Sequence, residues 1–353
     1  MAGAGTAMRA LRAVLLSVLG LAGASAPTHA ETAVIRLGMT RSNANAAELM
    51  AIRNGYFKDA GIKLDWRQVD TATNVIELLA RGGYQIVAGG ISARFFEAVE
   101  KNMPITIVGD RVSSPVGHNL MLRPDLQEEI RSPKDLKGRV IATNGKGSVS
   151  NYEVGKILER HGLTLADVEV KHVPFAQMSA AFASKSIDAG ILIPPYVYQL
   201  EDQKIAVPFA SVDEAVEPRP MTVAVVMVNT NWAKQNPELV QSYVQAWLRG
   251  VRDYCSGYRG APVRIEIVDE LVKAGTEKQP ELLHKYPWPA RSPDGRVNVA
   301  SLLDIQNWYA RNKLIAAELP AERLVDTSYI EAAVQKLGPF EPPNPESKLP
   351  GCR

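Results

Sequence analysis

The glycine- and serine-rich stretch 144–152, NGKGSVSNY, has the residue types best suited to holding a small polar ligand. It follows a predicted strand, 139–143, and leads into a predicted helix, 151–160. A glycine-rich turn between a strand and a helix directs backbone N–H groups and the positive end of the helix dipole toward one point. The stretch therefore predicts a site for a small anionic or polar ligand. The predicted contacts in this turn are Gly147, Ser148, Val149, Ser150 and Asn151.

The same stretch is not a nucleotide-binding P-loop. That motif needs four residues between its first glycine and a Gly-Lys-Ser/Thr sequence, whereas here Lys146 lies between two glycines. The spacing of Ser150 and Glu153 also fits a capping box, in which the serine only starts the following helix. Ligand contact and helix capping both stay open on the sequence alone.

Further polar loops follow the other predicted strands. In an open α/β sheet, ligands bind at the carboxyl ends of the strands. This rule selects the segments 40–45, 71–74, 89–92, 175–178 and 194–196. The ligand contacts predicted from these segments are Thr40, Arg41, Ser42, Asn43, Asn45, Asn74, Gly89, Gly90, Ile91, Ser92, Gln177, Pro195 and Tyr196.

Several of these residues have a purely structural alternative. Asn43, Asn45, Ser92 and Gln177 stand where helix caps are common. Arg41 has the alternative of a solvated surface arginine. Tyr196 is either a stacking partner for the ligand or a packed aromatic side chain. Phe175 is predicted to lie in the core.

Strands and helices alternate through the first two-thirds of the chain. Predicted strands at 33–39, 63–69, 84–88 and 105–108 alternate with helices at 46–57, 73–81 and 92–100. The alternation restarts with segments 118–122, 139–143, 168–173 and 188–193, and a strand is predicted at 222–228. Helices are predicted at 237–254, 263–273, 299–311 and 328–337, before an extended surface tail at 339–353. This order predicts largely parallel sheets in two α/β lobes with a cleft between them.

The N-terminal 30 residues have the features of a secretory signal peptide. Arg9 and Arg12 precede a short apolar run, and Thr28-His29-Ala30 resembles a cleavage site. Cleavage would reduce the 40 basic residues to 38, against 38 acidic residues. A balanced charge gives no support for a nucleic-acid or membrane-surface partner. We expect a soluble exported protein without a lipid anchor, a cofactor or a metal ion, and the resemblance described below implies that it is periplasmic.

The cysteines and histidines do not form a recognisable catalytic motif. Cys255 and Cys352 are the only cysteines, and their separation does not fit a metal site. In an exported protein they could pair, and two unpaired thiols are the alternative. The sequence contains no H-E-x-x-H and no G-x-S-x-G motif. Binding is therefore favoured over catalysis.

Residues 33–230 contain a series of short motifs in a fixed order. They are IRLG at 35–38, AIRNGYFKDAGI at 51–62, YQIVAGG at 84–90, DLKGRVIA at 135–142, GL at 162–163 with DV at 167–168, and IDAG at 187–190 with PPY at 194–196. Together they resemble the periplasmic solute-binding proteins of ABC importers, in particular the nitrate, alkanesulfonate, taurine and thiamin-precursor binding group. Gln85 departs from that pattern, because the family usually has aspartate there.

The resemblance implies a type II periplasmic-binding fold, with two α/β lobes and a ligand cleft between them. After a signal peptide at 1–30, domain I would comprise 33–117 and 222–353, and domain II would comprise 118–221. The implied protein is a monomer that closes on a small organic acid, sulfonate or polar heterocycle and delivers it to an ABC permease in the inner membrane. The alternatives are a periplasmic ligand sensor and an enzyme of the thiamin-pyrimidine type, whose cysteine-rich motif is missing here.

Overall fold

The computed structural model describes residues 32–258, 263–285, 287–341 and 352. The predicted signal peptide, 1–30, lies outside this part of the chain, as does the predicted tail apart from residues 339–341 and 352. No helix in the described ranges is both long enough and apolar enough to cross a membrane.

Strands and helices alternate as the sequence predicts. The strands are β1 (Ala33–Thr40), β2 (Ile62–Val69), β3 (Ile86–Gly90), β4 (Ile105–Val112), β5 (Asn119–Leu122), β6 (Val140–Thr143), β7 (Glu169–His172), β8 (Ala189–Leu192), β9 (Val207–Ser211) and β10 (Ala224–Asn229). The helices are α1 (Ala46–Arg53), α2 (Tyr56–Asp59), α3 (Ile76–Ala80), α4 (Ala93–Glu100), α5 (Val149–Glu159), α6 (Met178–Ala183), α7 (Tyr196–Asp202), α8 (Val212–Ala215), α9 (Thr230–Gln235), α10 (Pro237–Tyr258), α11 (Val263–Lys273), α12 (Pro280–Lys285), α13 (Val299–Arg311), α14 (Ala321–Leu324) and α15 (Ser328–Leu337).

The strands form two five-stranded sheets, and each sheet is the centre of one α/β lobe. The first lobe has the strand order β2-β1-β3-β10-β4, and the second lobe has the order β7-β6-β8-β5-β9. In the first sheet, β10 is antiparallel to β3 and β4. In the second sheet, β5 is antiparallel to β8 and β9. The other four strands of each sheet share one direction, which confirms the predicted pair of largely parallel sheets.

The antiparallel strand of each sheet is the one that enters from the other lobe. The chain leaves the first sheet after β4 and enters the second through β5, and it leaves the second sheet after β9 and returns through β10. A parallel neighbour needs a long crossover that carries the chain back along the sheet, whereas an antiparallel strand does not. The alternation of elements in the sequence does not distinguish these two strands from the others.

Helix α10 packs a continuous apolar stripe against the first sheet. Its buried residues recur three or four positions apart and so share one face. Gly250 permits the closest approach to α1, since a Cβ atom there would lie 2.7 Å from the Ala51 Cβ atom. This contact fixes α1 and the loop that precedes it beside the first sheet. The stripe consists of Val240, Tyr243, Val244, Trp247, Leu248, Val251, Tyr254 and Cys255.

Three predicted elements need correction. The helix predicted at 46–57 is two helices, α1 and α2, because Gly55 between them adopts a left-handed φ of 75°. Helix α5 begins at Val149, two residues before the predicted start. Strand β9 is not predicted, because Pro208 within it removes a backbone donor. It lies at the edge of its sheet, where proline is tolerated.

Cys255 and Cys352 form a disulfide, which decides the alternative left open by the sequence. Their Cα atoms are 5.3 Å apart, and the bond joins positions separated by 97 residues. Both side chains are buried in the core of the first lobe. The prediction of a surface tail is therefore wrong for Cys352, because this residue is buried and bonded to Cys255 of α10.

Candidate functional site

The carboxyl ends of strands from both lobes face one cavity. The loops after β1, β2 and β3 form one side, and the loops after β6, β7 and β8 form the other. The cavity has a volume of about 70 Å³. It has room for roughly five water-sized groups. Its walls consist of Thr40, Arg41, Ser42, Ala44, Asp70, Thr71, Ala72, Thr73, Gly90, Ile91, Arg111, Val112, His118, Asn144, Ser148, Val149, Phe175, Ile193, Pro194, Val223, Ala224 and Pro289.

The two lobes touch where the glycine-rich turn meets the start of α4. The backbone N–H of Ala93 donates to the carbonyl oxygen of Gly147 at 2.7 Å. Ser92 and Ser148 form an isolated antiparallel bridge beside it. Gly147 has a left-handed φ of 65°, and a Cβ atom on it would lie 2.8 Å from the Ala93 Cβ atom. The lobes can approach this closely because residue 147 has no side chain.

The serine hydroxyls of the turn bond mainly within the turn. Ser148 Oγ donates to the carbonyl oxygen of Gly145 at 2.8 Å and lies 2.7 Å from Ser150 Oγ. Ser150 Oγ also accepts the backbone N–H of Asn144 at 3.0 Å. These bonds shape the turn before any ligand arrives. Of the predicted contacts here, the cavity wall includes Ser148 and Val149 and leaves out Gly147, Ser150 and Asn151.

The capping box predicted from Ser150 and Glu153 is wrong. Because α5 begins at Val149 with Ser148 as its N-cap, Glu153 lies in the second helical turn. It is fully buried there, and its Oε1 atom is 2.7 Å from His118 Nδ1. Glu153 therefore orients a histidine rather than the start of the helix.

The loop before α1 contributes both wall residues and buried amides. Thr40, Arg41 and Ser42 line the cavity, and Ser42 Oγ caps a short 3₁₀ turn by accepting a backbone N–H at 3.2 Å. Asn43 and Asn45 do not line the cavity, and neither side chain caps α1. Asn43 is 2% exposed, and its amide nitrogen and oxygen both lack a partner among the described residues.

The two glycines at the end of β3, Gly89 and Gly90, have different roles. Gly90 and Ile91 line the cavity. Gly89 instead permits close packing behind the wall, since a Cβ atom there would lie 2.7 Å from the Ala72 Cβ atom. Ser92 is the N-cap residue of α4, yet its hydroxyl makes no capping bond and is buried without a partner in the described chain. The predicted N-cap position is therefore correct, but the expected hydrogen bond from the helix to the Ser92 hydroxyl is not made.

The remaining predicted contacts lie outside the wall. Asn74 and Gln177 are exposed, and Gln177 makes no capping bond to α6. Pro195 is buried, and Tyr196 is half-buried behind the wall, stacked on Phe175 with ring centroids 5.9 Å apart. Phe175 is partly buried against the hydrophobic core of the second lobe, as predicted, and its other side lines the cavity.

Arg111 is the main wall residue that sequence reasoning misses. In the pairing of β4 with β10, Ala224 opposes Val112 and Val225 opposes Asp110, so Arg111 is the extra residue of a β-bulge. A bulge redirects a side chain out of the regular alternation of a strand. The predicted strand ends at residue 108, and nothing in the sequence signals that β4 continues to Val112 with a bulge at Arg111.

The guanidinium of Arg111 is buried and only partly bonded. Its Nε donates to Glu48 Oε1 at 2.7 Å, and its Nη2 donates to Asn45 Oδ1 at 2.5 Å. Its Nη1 makes no hydrogen bond with the described residues, and this atom keeps some solvent-accessible surface. Because the side chain is 1% exposed and lines the cavity, Nη1 opens on the cavity.

One buried carboxylate stands between two guanidinium groups. Burial by itself would raise the pKa of Glu48. The positive charges of Arg111 and Arg291 lower this pKa by more than burial raises it, so the net shift is downward. Arg291 is also buried and donates to the carbonyl oxygen of Arg111 at 2.8 Å. For Asp110 close by, burial raises the pKa to about 7, which limits its negative charge at neutral pH. Glu48 is therefore the carboxylate that the two buried guanidinium groups share.

The comparisons with known proteins identify the family. Residues 43–256 match the family model described as NMT1/THI5 like. The chain belongs to the NMT1/THI5-like family. Among relatives, the taurine-binding periplasmic protein of Escherichia coli (strain K12) is 26% identical over 215 residues. That match covers 61% of this chain and 64% of the relative, so it spans just under two-thirds of the curated protein.

Solved structures show the fold of this NMT1/THI5-like chain. The alkanesulfonate-binding protein SsuA from Xanthomonas axonopodis pv. citri, bound to MOPS, superposes with a TM-score of 0.69 at 18% identity. The match covers 85% of this chain and 100% of SsuA. It confirms the predicted type II periplasmic-binding fold. The desulfurization enzyme DSZB also superposes, with a TM-score of 0.60 at 16% identity over 86% of this chain and 100% of DSZB. Proteins with this fold therefore include both binding proteins and enzymes. The function of this chain has to be inferred from its cavity.

Proposed function

We propose that this chain is the solute-binding component of an ABC importer that captures a small organic acid, either a carboxylate or a sulfonate. The observation that carries the proposal is the buried guanidinium of Arg111, whose Nη1 opens on a cavity at the contact between the lobes. A binding protein of this kind holds its ligand by closing on it and makes or breaks no covalent bond.

The charge around Arg111 supports an anionic ligand. Two buried arginines, Arg111 and Arg291, share one buried carboxylate, Glu48, whose pKa they lower. A buried charge is stable only when it is paired and hydrogen-bonded. A carboxylate or sulfonate oxygen on Nη1 would supply both the opposite charge and an acceptor.

The rest of the cavity supports an organic ligand of small size. Its apolar wall includes Ile91, Val149, Phe175 and Ile193, which would receive an alkyl or aryl group. The volume corresponds to roughly five water-sized groups, and methanesulfonate and acetate are within that size. A polar heterocycle, the third ligand class predicted from the sequence, would offer Nη1 an acceptor but no negative charge.

The proposal extends to location, partner and domains. We propose that residues 1–30 direct export to the periplasm and that the closed monomer docks on a membrane permease. We further propose that domain I comprises 33–117 and 222–353 and that domain II comprises 118–221. The distribution of strands between the two sheets supports this division.

The test is a ligand screen with paired acids and neutral analogues. Purified protein is first examined by native mass spectrometry for a retained ligand. Thermal unfolding is then followed with sulfonates, carboxylates, the corresponding amides, nitrate and pyrimidines. A ligand at 1,000 times its Kd stabilises the folded state by about 4 kcal/mol, which raises Tm by on the order of 5–10 °C. We expect shifts with acids and none with the amides.

Arg111→Lys tests the assigned anchor. Lysine keeps a positive charge beside Glu48 but cannot bond Glu48, Asn45 and a ligand at the same time, so we expect at least a tenfold loss of affinity for acids. Arg81→Lys, on an exposed surface position, is the matched control and should bind as the wild type does. Equal binding of acids and amides would refute the ligand class. A product formed from the bound ligand would refute the carrier function.

A further inference from the structure

We infer that His118 is a second contact for the acid group of the ligand and that Glu153 is the positioning residue that aims its ring. This inference rests on the proposed function and adds a specificity-determining residue to it. His118 lines the cavity, whereas Glu153 lies behind it. The two side chains are 6% and 0% exposed, and His118 Nδ1 is 2.7 Å from Glu153 Oε1.

The geometry leaves the other ring nitrogen facing the ligand. His118 Nε2 makes no hydrogen bond with the described residues and is not sealed from solvent. Because His118 is buried and its Nδ1 edge faces Glu153, Nε2 opens on the cavity. A carboxylate on one nitrogen fixes both the ring orientation and the proton position of an imidazole.

The pair lies where the lobes are joined. His118 ends the crossover that leads into β5, and Glu153 belongs to α5 of the second lobe. Arg111 lies on β4 of the first lobe, and both residues line the same cavity. An acid group held by Arg111 and His118 would thus connect the first lobe to the entrance of the second.

With Glu153 at one ring nitrogen and an acid group at the other, both nitrogens would have to donate, and only the protonated imidazole has two N–H donors. Glu153 on α5 contacts one ring nitrogen, and the charged residues that line the cavity with His118 are Arg111 on β4, Arg41 after β1 and Asp70 after β2. Tyr309 on α13 stays neutral, because burial and then the charge of Glu153 raise its pKa well above the ordinary value. The hydroxyl of Tyr198 on α7 donates to the carbonyl oxygen of Pro287 at 2.6 Å. Protonated His118 donates from Nε2 to the acid group, whereas the neutral ring with its proton on Nδ1 offers the anion only a lone pair.

Ligand binding should therefore take up a proton when the free protein carries His118 neutral. Affinity for an acid that stays ionised throughout, such as methanesulfonate, should fall as the pH rises and His118 loses its proton. Histidine changes charge between about pH 5 and pH 8. Each pH unit above the transition should weaken binding by up to tenfold.

The experiment is isothermal titration of the full mature chain with methanesulfonate, sulfate and acetate, each up to 50 mM, from pH 5.5 to pH 8.5. Titrations at the upper end of the range in triethanolamine and in Tris, two cationic buffers whose ionisation enthalpies differ, count the protons taken up. We expect at least a tenfold loss of wild-type affinity for methanesulfonate across this range. We expect uptake approaching one proton at the upper end of the range.

Two variants separate contact from positioning. His118→Gln keeps a neutral donor near the Nε2 position and should lose both the pH dependence and the proton uptake. Glu153→Gln removes the charge that favours protonated His118, so its binding curve should move to lower pH and recover there. Arg111→Lys should weaken binding at every pH while it keeps the slope. Circular dichroism of each variant checks that the protein is folded.

The outcomes distinguish this inference from the proposed function. If His118→Gln binds the acids with the affinity of the wild type and with the same pH dependence, the inference is overturned and the proposed function stands. An unshifted profile in folded Glu153→Gln overturns the positioning role. If the wild type binds none of the three anions at any pH, the proposed ligand class fails and the inference fails with it.

Discussion

The substitution Gly147→Ala should weaken ligand binding by preventing full closure of the lobes. Gly147 has φ near 65°, and an added Cβ atom would lie 2.8 Å from the Ala93 Cβ atom of the other lobe. Carbon atoms at optimal contact are about 3.5–4.0 Å apart, so the two lobes would have to separate by roughly 1 Å. The same movement would lengthen the hydrogen bond from the Ala93 N–H to the Gly147 carbonyl.

Two free-energy terms determine the size of this effect. Placing alanine in a left-handed conformation costs about 1–2 kcal/mol, but this cost applies to the open and the closed protein alike. Overpacking a close contact costs about 1–3 kcal/mol, and this cost applies only when the lobes are closed. The second term alone lowers the affinity, by roughly 5- to 150-fold.

The matched control is Gly138→Ala in the same lobe. Gly138 has φ of 74°, and a Cβ atom there would meet nothing within 4 Å. Both variants should lose similar stability in urea unfolding, and only Gly147→Ala should bind the acid more weakly in isothermal titration. Adding Ala93→Gly to Gly147→Ala should restore the affinity, because it removes the facing Cβ atom. Equal Kd values for the two single variants would refute the assignment of this turn to the closure contact.

Three further predictions concern stability and the size of the cavity. Reducing the Cys255–Cys352 bond should lower the free energy of unfolding by about 4–5 kcal/mol, the chain-entropy value for a loop of this length. Urea unfolding with and without reductant measures this, and the Kd should not change. For Asp110, burial raises the pKa to about 7 from an ordinary value of 3.8. The folded protein therefore holds an extra proton between those values, and stability should fall as the pH rises from 4 to 7, by roughly 4 kcal/mol for this group alone. Asp110→Asn should flatten that slope in urea unfolding, and an unchanged slope would contradict the assignment. Gly90→Val should abolish binding while circular dichroism shows an intact fold, and Gly90→Ala should keep most of the affinity. The reason is that a Cβ atom at this position has 3.4 Å to its nearest neighbour, whereas two further methyl groups would enter the cavity.

The longer helices and most strands follow from the sequence because their signals are local, whereas the short helices α8, α9, α12 and α14 are not predicted. The stripe of α10 can be read from apolar residues three and four positions apart, and the helix appears where it is predicted. The exception is instructive, since β9 contains Pro208 and is stable only as an edge strand beside β5. Whether a strand has a neighbour on one side or on two depends on distant parts of the chain.

The loops that form the cavity also follow from the sequence, but the roles of their residues do not. The strand-end rule brings Thr40, Gly90 and Ser148 to one place without any knowledge of contacts. It does not tell which residue of a loop faces inward. Ser150 and Gly89 belong to the predicted loops, yet their neighbours within the same lobe determine their positions.

The sequence by itself determined two α/β lobes, the family resemblance and the loops that face the cleft. The lobes and the loops depend on periodicity and on the order of elements, and the resemblance depends on short motifs and their order. All of these are properties of the chain read in one dimension. The tertiary structure alone decided that Arg111 leaves its strand at a bulge and that Glu153 reaches His118 instead of capping α5. It also decided that Cys255 and Cys352 pair. These partners are separated by tens of residues, so only the packed chain brings their atoms within bonding distance.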